Sequence, residues 1–489
     1  MIPVSRSDYA KAFDYYRPRM LFVESAWNGN SGNWQYQFVG SSGPRERALD
    51  MLRSARDRGI PTVFWNKEDP PHFDEFLPFA QHFDYIFTTE GALVGAYREA
   101  APQAQVGVLP FAAQPRIHHP IHQHPTARGE VAFAGQYFRD KFPERREQMD
   151  YLFAAAAGFD FKIYSREVGS KSSYAFPEPY EKFIVGSLPY DMMLDAYRSF
   201  RVFLNVNSVP NSETMCARRV FELSACKTSV LSAPTPAIEA FYATDEVFMA
   251  ADVSEARDML KVLLGDEEYR RRSAHRAWRR TLTHNTYSSR FAQVFETVGV
   301  ERRSPQAETI RVIAVIDNEQ QARRVVSDLD QQKLVPKEVI LVSRHSELSR
   351  QWLEEARPWR QRTLIGSELG ALQEPLGVAD SCDPWIVIDG SHRYAPHFLG
   401  DLTLAWNHYS HYGVIAKPLL AGQSPDCEAS VVSPVGLMTD KLEMLRDAVS
   451  HLLLEGRSSG LETAQPAVLI DDFNVARAAL TSNADRWQV

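Results

Sequence analysis

Two arginines and a glutamate near position 220 have the spacing of a ligand-binding helix face. In the segment SETMCARRVFELSAC, Arg218 precedes Glu222 by four residues and Arg219 precedes it by three. On a helix that begins near Ser212, both guanidinium groups would share a face with the carboxylate. Guanidinium groups near a helix N-terminus suit a diphosphate, and a carboxylate one turn further on can accept both hydroxyls of a ribose. The segment therefore predicts a nucleotide-sugar site, although the same spacing is typical of a surface ion pair.

An acidic pair follows a predicted strand in the segment WNKEDPP. Open α/β sheets bind their ligands at the carboxyl ends of strands. Glu68 or Asp69 could act there as a general base toward an acceptor hydroxyl, or could stabilise an oxocarbenium-like transition state. Asp69 precedes two prolines, so it also suits a helix N-cap. We predict Glu68 and Asp69 as candidate catalytic residues, with Asn66 and Lys67 beside them on the acceptor side.

The loop WNGNSGNW, after the first predicted strand, is a second candidate for the acceptor side. Asn28 and two glycines, Gly29 and Gly32, would let backbone amides approach an anion or a sugar. Trp27 and Trp34 flank the loop, and aromatic faces suit the apolar C–H surface of a sugar. A plain turn between two buried tryptophans would explain the same residues.

Further cations follow the predicted strand EVAFAG, in the segment QYFRDKFPERR. Arg139 and Arg145 could meet the leaving diphosphate from the side opposite Arg218 and Arg219. Surface solvation would explain some of these side chains equally well. Protein cations and a helix N-terminus can take up the charge of such a diphosphate.

Four histidines lie in a proline-rich stretch over residues 114–129, at His118, His119, His122 and His124. They have no neighbouring carboxylate or thiol in the sequence and no helical framework. The pattern therefore does not favour a zinc site.

Composition indicates a folded chain, and its length predicts about three domains. Of the 489 residues, 44% are hydrophobic, 24% are charged and 11% are aromatic, and the net charge is −8. That charge argues against a nucleic-acid partner. The four cysteines form no C-x-x-C pair, and the chain shows neither an apolar leader nor an apolar run long enough for a bilayer. We expect a cytoplasmic protein with reduced thiols and no membrane span, which leaves room for peripheral membrane contact.

Short apolar strands alternate with helices along the chain, which predicts an α/β fold with parallel sheets. The pattern places a Rossmann-like, acceptor-side domain at 1–115 and a second Rossmann-like, donor domain at 128–300. A third α/β unit spans 309–489 and ends in a predicted polar helix over 471–489. Two Rossmann-like domains joined by a hinge form the GT-B architecture, whose ligands bind between the domains.

Six segments in order resemble the CgeB-like, spore-maturation-type branch of the group 1 glycosyltransferases. They are FWNKEDPPHFDEF, FDYIFTTE, LPFAAQPRIHHP, FAGQYFRDKFPERR, GSLPYDMMLDAYRSF and NSETMCARRVFELSAC. The resemblance implies a GT-B enzyme that transfers a sugar from a nucleotide-diphosphate donor to a hydroxyl of a glycan or glycolipid, with retention at the anomeric carbon. It implies no metal and no required cofactor, because protein cations and a helix N-terminus take up the charge of the departing nucleotide. It also implies a role in cell-surface (cell wall) or spore-coat polysaccharide synthesis. Lys227 stands where these enzymes usually have glycine.

The third unit resembles family 2-type, GT-A glycosyltransferases through VIAVIDN, DLDQQ and EVILVS. Where related domains have a run of aspartates, this chain has Asp389, Gly390, Ser391 and His392. One carboxylate cannot clamp a divalent ion on a diphosphate as two can. We therefore expect a degenerate, structural or acceptor-binding module, in which Asp389 binds metal only if the domain is active. His392 could replace an acidic ligand for a softer metal.

Two other functions fit the same sequence. One is a non-catalytic scaffold that binds a nucleotide sugar or a carbohydrate. The other is a two-headed glycosyltransferase with an active C-terminal domain, which would require Mn²⁺-dependent activity that Asp389→Ala abolishes.

Overall fold

The chain divides into two compact units, residues 1–302 and 303–489. This division comes from a computed structural model, which describes residues 2–39, 44–121, 129–166, 174–301, 309–343, 359–365, 384–409, 414–418, 434–439, 467–469 and 475–477. Both units contain helices and parallel strands, which confirms the predicted α/β class.

The first half of the N-terminal unit contains a four-stranded parallel sheet in the order β1-β4-β5-β6, with a small hairpin of β2 and β3. Its strands are β1 (Leu21–Glu24), β2 (Asn28–Gly29), β3 (Trp34–Gln35), β4 (Thr62–Asn66), β5 (Tyr85–Thr88) and β6 (Gln105–Val108). Its helices are α1 (Tyr9–Tyr16), α2 (Glu46–Arg56), α3 (Phe73–Ala80) and α4 (Val94–Ala100), with a 3₁₀ turn at Gly91–Leu93. All five residues of β4 are buried, as expected for a parallel strand covered on both faces. We call this half the first lobe.

The second half contains a six-stranded parallel sheet in the order β12-β11-β10-β7-β8-β9. Its strands are β7 (Gly129–Gly135), β8 (Phe161–Ser165), β9 (Ile184–Gly186), β10 (Phe200–Asn205), β11 (Ser229–Ser232) and β12 (Phe248–Met249). Its helices are α5 (Pro143–Ala156), α6 (Glu178–Glu181), α7 (Tyr190–Ser199), α8 (Arg218–Ala225), α9 (Pro236–Phe241), α10 (Val253–Gly265), α11 (Glu267–His284) and α12 (Tyr287–Val298). We call this half the second lobe. Because successive strands are added first on one side of β7 and then on the other, the β7/β10 boundary is the topological switch point, where such sheets bind ligands.

Helix α12 ties the two lobes together. Val294 is fully buried in a cluster with Trp65 of the first lobe, and the Tyr287 ring lies 6.2 Å from that of Trp65. The two segments that cross between the lobes also bond to each other: Ala113 donates its N–H to the Asn285 carbonyl, and Tyr287 donates to the Ala113 carbonyl, both at 2.9 Å. The lobes therefore share a packed boundary within one unit.

The C-terminal unit contains a mixed seven-stranded sheet in the order β15-β14-β13-β16-β19-β18-β20 and a separate β17-β21 pair. Its strands are β13 (Arg311–Ile316), β14 (Glu338–Ser343), β15 (Arg360–Ile365), β16 (Trp385–Asp389), β17 (His392–Tyr394), β18 (Val414–Pro418), β19 (Pro434–Thr439), β20 (Ala467–Leu469) and β21 (Val475–Arg477). Its described helices are α13 (Glu319–Asp330) and α14 (Phe398–Tyr409). The polar helix predicted over 471–489 is wrong where the structure describes it, since β21 pairs there with β17. Polar composition alone did not reveal that pairing partner.

None of the helices in the described part of the chain combines the length and the apolar character that a bilayer crossing needs.

The N-terminal unit is expected to fold without the C-terminal one. Its hydrophobic clusters are built around both of its sheets from residues below position 303. A protein truncated after residue 302 should therefore remain soluble and unfold cooperatively, measured by circular dichroism during heating. Insoluble or non-cooperative material would show that residues 303–489 are needed to complete the fold.

Candidate active site

A cavity of about 480 Å³ lies at the carboxyl end of the six-stranded sheet, at the switch point. Strand ends contribute Gly135 of β7, Ser165 of β8 and Asn205 of β10. A Cβ atom at Gly135 would lie 3.0 Å from the Phe133 ring and 3.5 Å from Nη2 of Arg145, so glycine leaves room for that guanidinium. The cavity therefore occupies the place where the fold itself favours a ligand.

Helix α8 begins at Arg218 and not near Ser212, so the predicted helix start is wrong. The Ser212 hydroxyl accepts the N–H groups of Thr214 at 3.2 Å and Met215 at 2.8 Å, and such local bonds compete with helix formation. Residues 212–217 instead form a loop that delivers Arg218 and Arg219 to the first turn of the helix.

The loop before α8 is also bound to the first lobe. The Thr214 hydroxyl donates to the Thr89 carbonyl at 2.9 Å and accepts the Gly91 N–H at 2.8 Å. Thr89 and Gly91 follow β5, so the carboxyl end of the first-lobe sheet touches the segment that positions the two arginines. The start of α8 is therefore fixed by both lobes.

Glu222 is a buried hydrogen-bond acceptor that lines the cavity, with 2% of its surface exposed. Its Oε1 lies 3.0 Å from Nε of Arg218 and accepts the Tyr190 hydroxyl at 3.1 Å. Its Oε2 accepts the Tyr197 hydroxyl at 3.2 Å. The i, i+4 pair of Arg218 and Glu222 exists, but its carboxylate is not solvated as in a surface ion pair.

Arg145 and Arg219 bring two further cations to the same cavity. Within the described residues, the buried Nε atom of each has no hydrogen-bond partner. Arg145 donates through Nη1 to the Val206 carbonyl and to Oγ of Ser208, both at 3.3 Å. Burial, together with the positive charge of Arg219, lowers the pKa of Arg145 to about 9. Two mutually repelling guanidinium groups with donors to spare favour an anion between them.

Arg139 is not brought to this cavity. Its Nε lies 3.3 Å from the Ala175 carbonyl and its Nη2 lies 3.5 Å from the Phe176 carbonyl, so it contacts a neighbouring loop. Arg166, which directly follows β8, lines the cavity although the sequence did not point to it. Arginine-rich segments alone do not show which guanidinium turns inward.

Three aromatic residues around Glu222 were also missed from sequence. Tyr190 and Tyr197 come from α7, and His118 comes from the segment that joins the lobes. The Nε2 atom of His118 lies 2.8 Å from the Tyr190 hydroxyl, and its Nδ1 accepts the Gln114 N–H at 2.9 Å. Burial lowers the pKa of His118 to about 4, so its ring is neutral near pH 7. The segments LPYDMML and RIHHP stand out in the sequence, but their spacing does not reveal this meeting.

This part of the chain also matches a known family. Residues 145–296 match the family model described as "Glycosyl transferase-like". The segment is glycosyltransferase-like. The match contains Arg145, Arg218, Arg219 and Glu222, and it supports the predicted group 1 glycosyltransferase class. The CgeB-like subtype and the GT-A likeness of the C-terminal unit stay predictions.

Solved structures show distant similarity to the chain. Sucrose-phosphate synthase from Thermosynechococcus elongatus is 13% identical, with 53% of this chain and 82% of that chain covered and a TM-score of 0.38. Anabaena HepE in complex with UDP is 11% identical, with 60% and 82% covered and a TM-score of 0.39. An α,α-trehalose-phosphate synthase (UDP-forming) from Burkholderia vietnamiensis is 12% identical, with 60% and 78% covered and a TM-score of 0.37. No protein of curated function matches this chain in sequence.

Asp69 lies outside the glycosyltransferase-like segment, fully buried in the first lobe. Its carboxylate accepts Nδ2 of Asn66 at 2.7 Å, the Thr88 hydroxyl at 2.6 Å and the Tyr97 hydroxyl at 3.0 Å. The helix after it begins at Phe73, so Asp69 is not its N-cap. Asp69 therefore belongs to a buried hydrogen-bond network, and an acceptor substrate cannot reach its carboxylate.

Glu68 is half-buried beside that network and keeps more access than Asp69. Lys67, which the sequence placed on the acceptor side, forms an ion pair with Glu24 at 2.9 Å. Asn66 is fully buried, and its side-chain amide donates hydrogen bonds to the Asp69 carboxylate and the Tyr97 hydroxyl. The role of Glu68 as a catalytic residue stays a prediction.

Replacing Asp69 by asparagine is expected to change how stability depends on pH. Burial raises the pKa of Asp69 to about 7 from an ordinary 3.8. Between those values the folded protein binds more protons than the unfolded chain, so the carboxyl group costs stability progressively as pH rises toward 7. Asp69→Asn should therefore raise the free energy of unfolding above pH 7 by about 1 to 3 kcal/mol, with a smaller gain near pH 5.

Urea unfolding of both proteins across pH 5 to 8 measures that difference. Asp74→Asn removes an equal charge from an exposed position and controls for net charge. Equal pH profiles for the wild type and Asp69→Asn would contradict the raised pKa.

The tryptophan loop divides into a core residue and a partly accessible one. Trp34 is 5% exposed, stacks on Phe38 and donates its indole N–H to the Val4 carbonyl at 2.8 Å, so packing explains it. Trp27 is half-buried, with its ring 5.1 Å from His72 and 5.3 Å from Phe76. The structure therefore corrects the suggestion that Trp34 offers its face to a sugar.

Asn28, Gly29 and Gly32 lie in the hairpin of β2 and β3. Asn28 is exposed, Gly29 pairs with Trp34, and Gly32 has a φ of +87°, a conformation that favours glycine. The turn geometry explains Gly32 without a ligand.

The residues that the sequence raised as metal ligands are the histidines of the joining segment and Asp389. His118 and His119 are buried at 2% and 3% exposure, and His122 and His124 lie outside the described residues. Among the residues that the structure describes, His, Cys, Asp and Glu form no group of three that could hold a metal ion. Asp389 ends β16, and its Oδ1 accepts the Ser391 N–H at 2.8 Å.

Proposed function

We propose that this protein transfers a sugar from a nucleoside-diphosphate donor to a hydroxyl acceptor. One juxtaposition supports the proposal: Arg145 and Arg219, each with an unpartnered buried Nε among the described residues, share a cavity with the buried carboxylate of Glu222. A diphosphate needs donors and positive charge, and a ribose needs an acceptor for its hydroxyls. The cavity offers both in one place.

In the proposed mechanism the arginines stabilise the leaving group. The diphosphate lies between Arg145 and Arg219. Their preorganised N–H groups stabilise the negative charge that develops as the bond between the transferred sugar and the diphosphate breaks. Glu222 accepts the ribose hydroxyls, and Arg218 is drawn from Glu222 toward the phosphates when the ligand enters. Since four arginines line the cavity, protein cations can balance the charge of the diphosphate in the transfer step.

The finer parts of the proposal concern the acceptor and the biological role. We assign Glu68, with Trp27 and the loop around Asn28, to the acceptor side, and we propose a glycan or glycolipid acceptor. Retention at the anomeric carbon, independence from metal, and a role in cell-surface or spore-coat glycan synthesis in the cytoplasm follow from the family resemblance. In the proposed GT-B arrangement, domains 1–115 and 128–300 enclose the substrates, while 309–489 is a degenerate GT-A-like module.

The proposal is tested by binding and turnover together. The protein of residues 1–489 is titrated calorimetrically with UDP, GDP, TDP and CDP. It is then incubated with the matching nucleotide sugars while release of nucleotide is followed. Binding with slow donor hydrolysis, accelerated by a glycan acceptor, would support a transferase. Binding without release would support the scaffold. The absence of nucleotide binding would exclude the transferase and a nucleotide-sugar scaffold, and would leave a carbohydrate-binding scaffold.

A further inference from the structure

We propose that His118 is a positioning residue for Glu222, acting through the hydroxyl of Tyr190. The inference rests on the proposed function, because the group being positioned is the carboxylate assigned to the ribose. His118 is distant from α8 in sequence and belongs to the segment that joins the lobes.

The hydrogen bonds around His118 can each be assigned a donor and an acceptor. The Gln114 backbone N–H can only donate, so Nδ1 of His118 accepts, and the neutral ring carries its proton on Nε2. That proton points to the Tyr190 oxygen, 2.8 Å away. The Tyr190 hydroxyl is then left to donate its own proton to Oε1 of Glu222 at 3.1 Å. These three hydrogen bonds form a continuous series from the backbone of the joining segment to the Glu222 carboxylate.

The joining segment is held on both sides of His118. Arg198 donates through Nη2 to the Ile117 carbonyl at 3.0 Å and through Nε to the His119 carbonyl at 2.7 Å. Asp195 holds Arg198 in turn, with its Oδ1 2.6 Å from Nη1. The imidazole is therefore fixed by the backbone around it before any ligand arrives.

Tyr190 needs such a partner, and Tyr197 does not. Tyr197 is 3% exposed, so packing restricts its hydroxyl near Oε2. Tyr190 is 45% exposed, so its ring is packed less closely, and the hydrogen bond with His118 restricts its hydroxyl. With both tyrosines in place, the Glu222 carboxylate is held at each oxygen, so its orientation toward the cavity is set in advance.

Binding of two probes separates positioning from folding. The first probe is the nucleoside diphosphate that the wild type binds most tightly, and the second is inorganic pyrophosphate, which has no ribose. His118→Leu and Tyr190→Phe are each expected to weaken nucleoside-diphosphate binding about tenfold, with pyrophosphate affinity unchanged. His118→Gln keeps an N–H donor toward Tyr190 and should retain most of the affinity.

A double mutant tests whether His118 and Tyr190 act through one series of hydrogen bonds. If His118 works through the Tyr190 hydroxyl, the double variant should bind nucleoside diphosphate no more weakly than either single variant. Tyr180→Phe is the matched control, because Tyr180 also donates to a carboxylate of the second lobe, that of Asp150, but lies outside the cavity lining. It should change neither affinity.

Three results would overturn the inference while leaving the proposed function intact. They are unchanged nucleoside-diphosphate affinity in His118→Leu and Tyr190→Phe, an equal loss for both probes, or additive losses in the double variant. If His118→Leu does not fold, Tyr190→Phe and His118→Gln still decide the matter, since the first should lose affinity and the second should keep it. A wild type that binds pyrophosphate but no nucleoside diphosphate would overturn the proposed function itself.

Discussion

Replacing Arg219 by alanine should slow sugar transfer by about a hundred- to a thousandfold, the effect of removing one preorganised donor to a developing oxyanion. Arg219 has a buried Nε without a partner among the described residues, and its guanidinium carbon lies 5.7 Å from the centre of the Phe133 ring. The group is thus positioned before the ligand binds. Steady-state nucleotide release and calorimetric pyrophosphate binding should both decline, because the same contact serves ground state and transition state.

Arg139→Ala is the matched control for Arg219→Ala. It removes the same charge from the same lobe, but its guanidinium contacts the carbonyls of Ala175 and Phe176. Its turnover should remain close to that of the wild type. If Arg219→Ala has normal turnover and Arg218→Ala is slow, Arg218 takes the role assigned here to Arg219, and its ion pair with Glu222 must open during binding.

Replacing Glu222 by glutamine should weaken binding of the nucleoside diphosphate by about 1 to 3 kcal/mol, the usual range for hydrogen bonds to a charged group. The carboxylate accepts at both oxygens, from Tyr190 at Oε1 and from Tyr197 at Oε2. A glutamine amide replaces one of these acceptors by a donor, so it faces another donor and turns away from one tyrosine. Calorimetric titration with the nucleotide measures the loss.

Two comparisons make the Glu222 result specific. Pyrophosphate affinity should be nearly unchanged in Glu222→Gln, since the arginines remain. Glu246→Gln alters another buried glutamate of the same lobe, one paired with Arg280 outside the cavity lining, and should affect stability without affecting nucleotide binding. Unchanged nucleotide affinity in Glu222→Gln would remove Glu222 from the ribose site.

These two predictions address different ends of one ligand. Arg219 acts on the diphosphate and Glu222 on the nucleoside, so the two variants should differ in which probe they lose. A single cavity that merely tolerates anions would respond to Arg219→Ala but not to Glu222→Gln.

The sequence by itself determined the α/β class and the grouping of Arg218, Arg219 and Glu222. Both depend on short-range information. The alternation of apolar strands with helices is written into each segment, and a spacing of three or four residues places side chains on one helix face wherever the helix lies. The start of that helix was misjudged because Ser212 bonds to its own backbone neighbours, a local competition that the spacing does not show.

The tertiary structure alone decided which distant residues meet. The strand order of the second lobe brings the first turn of α5, with Arg145, near Arg219, whereas Arg139 lies in the loop before α5 and contacts other carbonyls. The joining segment brings His118 to Tyr190 and Glu222. Burial turned Asp69 and Trp34 from candidate ligand contacts into packed residues. Sequence spacing could not predict these outcomes, because they depend on how strands order themselves and on which polar groups find partners once water is excluded.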